Sequence, residues 1–505
     1  MKRVTGKRGI PMKKVVALIL VLVVAWLGAT FYVGMRAEAR VREGIADLEL
    51  IPGQRDVIFD VRRYDRGLFR SRAVTCLVIQ GDLAADERIG PLSGQLCSES
   101  TIHHGPLAWT QQGPFVGIAA TEEVLDLSAL PPQTMAMVQE IFQGRPPITG
   151  YSRYGFDGSL AVKVAVSPVN LDSPMGKVVL EQLQLDVVRP SEDAYPVNSY
   201  LSLKGLDVTS AKMGFAVESL TGAVDIVAML GGELPLTDIN LTGRGLRGFQ
   251  NGLPVLAFDL ILQGSSQDQG ETLSGKSGLW LENVSGPMVP LPMDSAYLGI
   301  DYTGLDKQAL VKVHALNREL DEIQAGMLMG ALAGDNTDQA QQIARVQTLA
   351  ADMMTVVAEQ LLHPGDSELA LQMLMDYQGE RQLTLDSKAR YLGLKGENLP
   401  AQALSSLDEE TLQQMLDLQV RVDLRDSLVP PPFAGKLTAL ASQGLVRRQE
   451  GRWHSAIRAS GGELYLNGQP VTSRELQERL KVLSPAVPTE DGEAAEGAPL
   501  AMGLD

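Results

Sequence analysis

Cysteine occurs only twice and histidine five times in 505 residues, and aromatic side chains make up 5% of the chain. So few cysteines exclude a fold stapled by many disulfides. Neither CxxC nor HxxxH occurs, so the close ligand spacing of a zinc site is missing. No GxSxG, HExxH or paired S-x-x-K and S-D-N motif is present, and the familiar hydrolase chemistries lack their parts. Positive charge is also short: 44 Lys and Arg face 61 Asp and Glu, a formal net charge of −17. Such a surface repels nucleic acid and anionic head groups. The expectation is therefore a chain that is not an enzyme and has no cofactor, metal or nucleic-acid partner.

Long hydrophobic runs are scarce too, and the single exception is informative. Val15 to Met35 carries no charge over 21 positions and follows six basic residues, Lys2, Arg3, Lys7, Arg8, Lys13 and Lys14. At 1.5 Å per residue this run is long enough for the ~30 Å hydrocarbon core of a bilayer. A cleaved signal peptide, with Ala37-Glu38-Ala39 as its site, competes with an uncleaved anchor, but signal cores span only ~7–15 residues. A lipoprotein would need a cysteine just past the run, and the first is Cys76. The expectation is an anchor including Val15, Leu20, Trp26 and Tyr32, with residues 1–14 cytoplasmic and the body in the periplasm of a bacterial inner membrane. One lipid bilayer crossing is thus the first partner.

Beyond the anchor the periodicity is mostly two. Val57, Phe59 and Val61 alternate ahead of a turn at Tyr64-Asp65-Arg66-Gly67, and Leu68 to Ile79 runs back as a strand. Thr121 to Phe142 reads as a helical stretch broken by Pro131-Pro132, with Thr121 as its N-cap and Glu122 and Glu123 in its first turn. Residues 159–303 alternate with glycine punctuation, and Val255 to Leu262 is apolar on both faces apart from Asp259, as expected of a strand covered on both sides. Residues 305–365 change period to 3–4 around Gly334-Asp335-Asn336, which predicts an αα-hairpin whose stripe offers a homodimer face or packs on the sheet. Strands return at Glu368 to Tyr377, Gln382 to Leu394 and Gln419 to Leu424. Short helices fit Asp408 to Leu418 and Phe433 to Leu445, and Ser473 reads as the cap of a last one. Residues 485–505 read as a disordered tail. The domains expected are thus a β-rich region over 36–304, the helix pair over 305–365, and an α+β region over 366–484. The fold class is α+β: a transmembrane helix, then a large, mostly antiparallel curved sheet with an inserted αα-hairpin.

Three patterns invite chemistry. Gly270 to Ser277 matches the phosphate-loop letters GxxxxGK[ST], but Gly278 to Val284 alternates like a strand instead of opening a helix, so a hairpin loop and no nucleotide is expected. His103 and His104 are adjacent, and on a strand adjacent side chains face opposite ways. Cys76 and Cys97 flank two strands: an oxidising compartment favours a bridge of about 3 kcal/mol, and two buried thiols are the alternative.

Arg63-Tyr64-Asp65-Arg66-Gly67-Leu68-Phe69, His104-Gly105-Pro106 and Gly462 to Gln469, with Asn467-Gly468, resemble the YdgA-like family of bacterial proteins. The resemblance spans most of the chain. It implies inner-membrane tethering and a domain of unknown function, with no catalytic residues to carry over. The functional expectation is a non-enzymatic, inner-membrane-anchored periplasmic scaffold or binding protein of the cell envelope. The alternative is a lipid or hydrophobic-ligand carrier using a curved β-sheet groove.

Overall fold

The computed structural model describes residues 30, 57–79, 97–128, 130, 132–173, 176–191, 194–232, 234–289, 293–333, 339–394, 396–398, 409–429 and 431–480. The anchor positions Val15, Leu20, Trp26 and Tyr32, the separator Gly334-Asp335-Asn336 and the 485–505 tail lie outside them. Among the described residues no helix is long and apolar enough to cross a membrane.

Alternating side chains and glycine-marked turns build one large, curved antiparallel sheet of 22 strands. Val57–Asp65 pairs with Arg70–Ile79, followed by Cys97–His104, Ala119–Asp126, Ile148–Tyr154, Leu160–Val166 and Gln182–Arg189. Asn198–Thr209 leads into the long strands Met213–Leu230, Leu234–Gln250, Leu253–Gln269, Thr272–Ser285 and Ser295–Asp306. Glu368–Tyr377, Glu380–Tyr391, Leu416–Arg425 and Arg452–Ser460 continue the same order. Each of these strands pairs with the next one named; between Leu160–Val166 and Gln182–Arg189 the chain inserts the hairpin Val169–Ser173 and Gly176–Leu180, whose second strand pairs with Asn198–Thr209. Asn251-Gly252 and Asn467-Gly468 both adopt positive φ, the geometry that lets a two-residue turn match strand twist. Register shifts at Val61/Arg63, Ile226/Ala228 and Gly243/Leu246 mark bulges, which bend a sheet.

Helices are few. Lys307–Ala333 begins where Asp306 Oδ1 accepts the Ala309 amide at 2.8 Å, and Gln339–Val356 comes next. Arg345 and Glu319 form an ion pair between them. Leu310 and Val311 in the first of these helices pack on the buried trio Leu230, Leu236 and Leu273. Ser473–Leu480 is opened by Thr472, not Ser473: Thr472 Oγ1 accepts the Glu475 amide at 3.2 Å and Glu475 returns the bond at 2.8 Å.

Two local readings are corrected. The part of Thr121 to Phe142 before the prolines is not helical: the helix is Pro132–Ile141, and Ala119–Asp126 is a strand. Its ladder bonds to both neighbours outweigh the local helix signal of Glu122 and Glu123. Val255 to Leu262 is not covered on both sides either, since every one of these residues retains partial exposure. The phosphate-loop letters fall on a hairpin: Gly270 is in the turn (φ +87°) and Thr272–Ser285 is strand, with no helix start to offer amides to phosphate.

Candidate functional site

Directly opposed residues of an antiparallel ladder share a face, so the register fixes what each face presents. One line of opposed residues runs Val164, Leu185, Leu201, Gly222 and Leu241. It continues through Leu262, Leu279, Leu298, Met373, Leu385 and Val422 without a polar interruption. Two residues along, a parallel line reads Val166, Leu183, Leu203, Leu220, Gly243, Leu260, Leu281, Ala296, Met375, Leu383 and Leu424. Shifted by one residue, the other face reads Lys163, Asp186, Tyr200, Ala223, Asn240, Gln263, Gly278, Gly299, Gln372, Asp386 and Arg421. Along these lines the sheet is amphipathic over some ten strands, although the second face turns apolar beside them at Ile261, Trp280, Tyr297 and Leu374.

An apolar sheet face is ordinarily buried under a second layer. Here Leu185 and Leu298 are each 39% exposed and Met373 is 37% exposed, while the residues between them are half-buried. The helix at Lys307 covers only one margin, where Tyr302 and Leu273 meet Leu310 and Val311. Among the described residues nothing else covers the remainder, an apolar strip whose side chains stay partly exposed except toward Met375, which is 2% exposed.

The strip ends in polar groups on the same face. Counting along the ladders from Val164 leads to Gly150, Glu123, Ser100 and Ala73, and the adjacent line holds Ser152, Thr121, Ile102 and Ser71. Thr121 and Ser152 hydroxyls are hydrogen-bonded and buried. His104, 2% exposed, shares a 2.6 Å hydrogen bond between Nε2 and Ser71 Oγ. Burial, with His103 beside it, pushes the His104 imidazole down to about 4, so it is neutral at pH 7. Glu123 keeps access to water, yet crowding by protein atoms lifts its carboxyl above the usual range against a hydrogen bond from Ser100. On the opposite face His103 Nε2 lies 3.5 Å from Glu122 Oε2, as the alternation of adjacent strand residues requires. Among the described residues no group of His, Cys, Asp and Glu could hold a metal ion.

Cys76 and Cys97 are opposed across their ladder and joined by a disulfide. The other motif positions are corners. Asp65 pairs with Arg63 at 2.6 Å; Tyr64 and Asp65 are still strand, opposite Ala73 and Arg72, so the connection expected from Tyr64 starts only at Arg66, and a Cβ on Gly67 would meet the Arg70 carbonyl. Asn467 Oδ1 accepts the Ala456 amide at 2.9 Å, its Nδ2 donates to the Gly444 carbonyl at 2.9 Å, and Gly468 completes the turn. Gly105 takes φ +109°, and a Cβ there would lie 2.7 Å from Oγ1 of Thr30, a fully buried helical residue from within the Val15–Met35 run. The residues that sequence reasoning missed, Ser71, Ser100, Thr121, Glu123 and Ser152, carry no motif; only the ladder brings them together.

The fold and this face define a mostly β protein built on a single amphipathic sheet. The chain belongs to a family of bacterial proteins of unknown function, DUF945, whose family model matches residues 12–473. No curated protein and no solved structure matches it.

Proposed function

We propose that the protein is a non-enzymatic carrier or binder of lipid or another acyl-chain ligand, tethered to the bacterial inner membrane by its N-terminal run with its body in the periplasm. The uncovered apolar strip carries the reading. Each buried CH2 of a ligand is worth about 0.8 kcal/mol, so a strip crossing ten strands offers an acyl chain ample affinity. The opposite face, polar along the line from Lys163 to Arg421, keeps the same sheet compatible with water.

Photo-crosslinking tests it. Benzoylphenylalanine at Leu201, Leu262 or Leu298 on the apolar face is expected to capture co-purifying lipid in cells, and the same probe at Tyr200, Gln263 or Gly299 to capture none. Equal capture from both faces, or none from either, defeats the proposal.

A second reading, an envelope scaffold dimerising through the paired long helices, draws on Ile343 and Met354, which stay 43% and 56% exposed. Light scattering of residues 40–505 with and without Leu320→Glu plus Val346→Glu tests it, and a monomeric wild type removes it.

A further inference from the structure

The polar end of the strip holds two opposite charges that do not neutralise each other. Arg189 lies on the apolar face, in the line His104, Ala119, Tyr154, Leu160 and Arg189. Its Nε is buried without a hydrogen-bond partner, and among the described residues the side chain forms no ion pair. Leaving a buried donor unpaired is unfavourable, so such a group gains from meeting an acceptor. Glu123 is on the same face three strands away and four residues along the ladder, about 20 Å between backbones at ~4.8 Å per strand and ~3.3 Å per residue, a span that the two long side chains shorten from both ends. Tyr154 stands between them: crowding lifts its hydroxyl above the usual range, Ser152 and Arg189 pull it back, and Glu123 adds to the rise. The hydroxyl thus feels both charges at once.

An arginine fork suits a phosphate, and a carboxylate suits an ammonium. A ligand whose tail lies on the leucine strip and whose head carries both charges would satisfy each group, whereas an anionic head would meet Glu123 and a strongly acidic chain. We propose that the Glu123–Tyr154–Arg189 cluster is a head-group site for an amine-bearing phospholipid, with phosphate at Arg189 and Tyr154 and ammonium at Glu123. This rests on the carrier reading above.

The test uses the full-length chain in nanodiscs and two photoactivatable lipids with identical acyl chains, phosphatidylethanolamine and phosphatidylglycerol. Wild type is expected to crosslink the first about tenfold more, the equivalent of about 1.4 kcal/mol. Arg189→Gln should lower both, Arg189→Lys should restore much of the loss, and Glu123→Gln should erase the preference by lowering phosphatidylethanolamine capture and raising that of phosphatidylglycerol. Thermal melts of each variant separate loss of the site from loss of the fold. Equal capture of the two lipids by wild type, or a preference that survives Glu123→Gln, overturns the head-group site and leaves the carrier reading intact. No capture of either lipid defeats the carrier reading itself.

Discussion

The first strands and the long central strands solve the same packing problem differently. Between Arg70 and Tyr154 the sheet buries Ala73, Ile102, Ala119, Ala120 and Tyr151, together with Ser71, His103, His104, Thr121 and Ser152, and adds a disulfide. Across Met213–Leu230 only Val217 and Leu230 are buried, and across Leu253–Gln269 none is. The early region is a closed core whose polar groups are mostly hydrogen-bonded internally. The central region is a ladder held by backbone bonds and cross-strand pairs, with its apolar face left over. Stability and ligand contact are thereby assigned to different parts of one sheet.

Perturbations should separate the two. The largest effect is expected from Cys76→Ser plus Cys97→Ser, which frees a 21-residue separation and costs about 3 kcal/mol on the chain-entropy account, read as a lowered melting temperature. Next is acid. The His104 imidazole falls from its ordinary 6.5 to about 4 in the folded protein, so the unfolded chain takes up a proton first as pH drops. Its contribution to stability is complete above pH 6.5, is lost between pH 6.5 and 4, and amounts to at most about 3 kcal/mol. His104→Gln should flatten that segment of the stability–pH curve relative to wild type; parallel curves would show that this histidine is not responsible.

Asn467→Ala is expected to cost about 1–2 kcal/mol in denaturant titration, because it removes a positive-φ residue whose amide ties the hairpin to Ala456 and Gly444. Asn467→Gly should recover the backbone part alone. The smallest stability effect belongs to the strip: Leu262→Gln should change unfolding free energy by about 1 kcal/mol or less, since its partly exposed face makes few contacts to lose. The same substitution should nevertheless weaken lipid capture sharply. A large destabilisation at Leu262 would mean that the central face is a core after all.

Much of the strand pattern was legible because it is local. Glu368–Tyr377 alternates in the sequence and is a strand with those bounds, and Asn467-Gly468 marks a turn wherever alternation flanks it. Where local signals competed with pairing, pairing prevailed. Glu122 and Glu123 look like the acidic first turn of a helix, yet the ladders on both sides make them strand and put them on opposite faces. The cluster at Glu123, Tyr154 and Arg189 had no signature, because its members come from three strands whose proximity depends on register and intervening turns.

By itself the amino-acid sequence determined the period of two, the turn positions, the acidic surface and the single apolar run at the N-terminus, since each arises from neighbouring residues. Only the tertiary structure decided that leucines from successive strands line up into one uncovered strip, that His104 is buried against Ser71, and that Arg189 and Glu123 share a face without pairing. Those outcomes depend on hydrogen-bond register, where a one-residue slip exchanges the faces, and register is a property of paired strands.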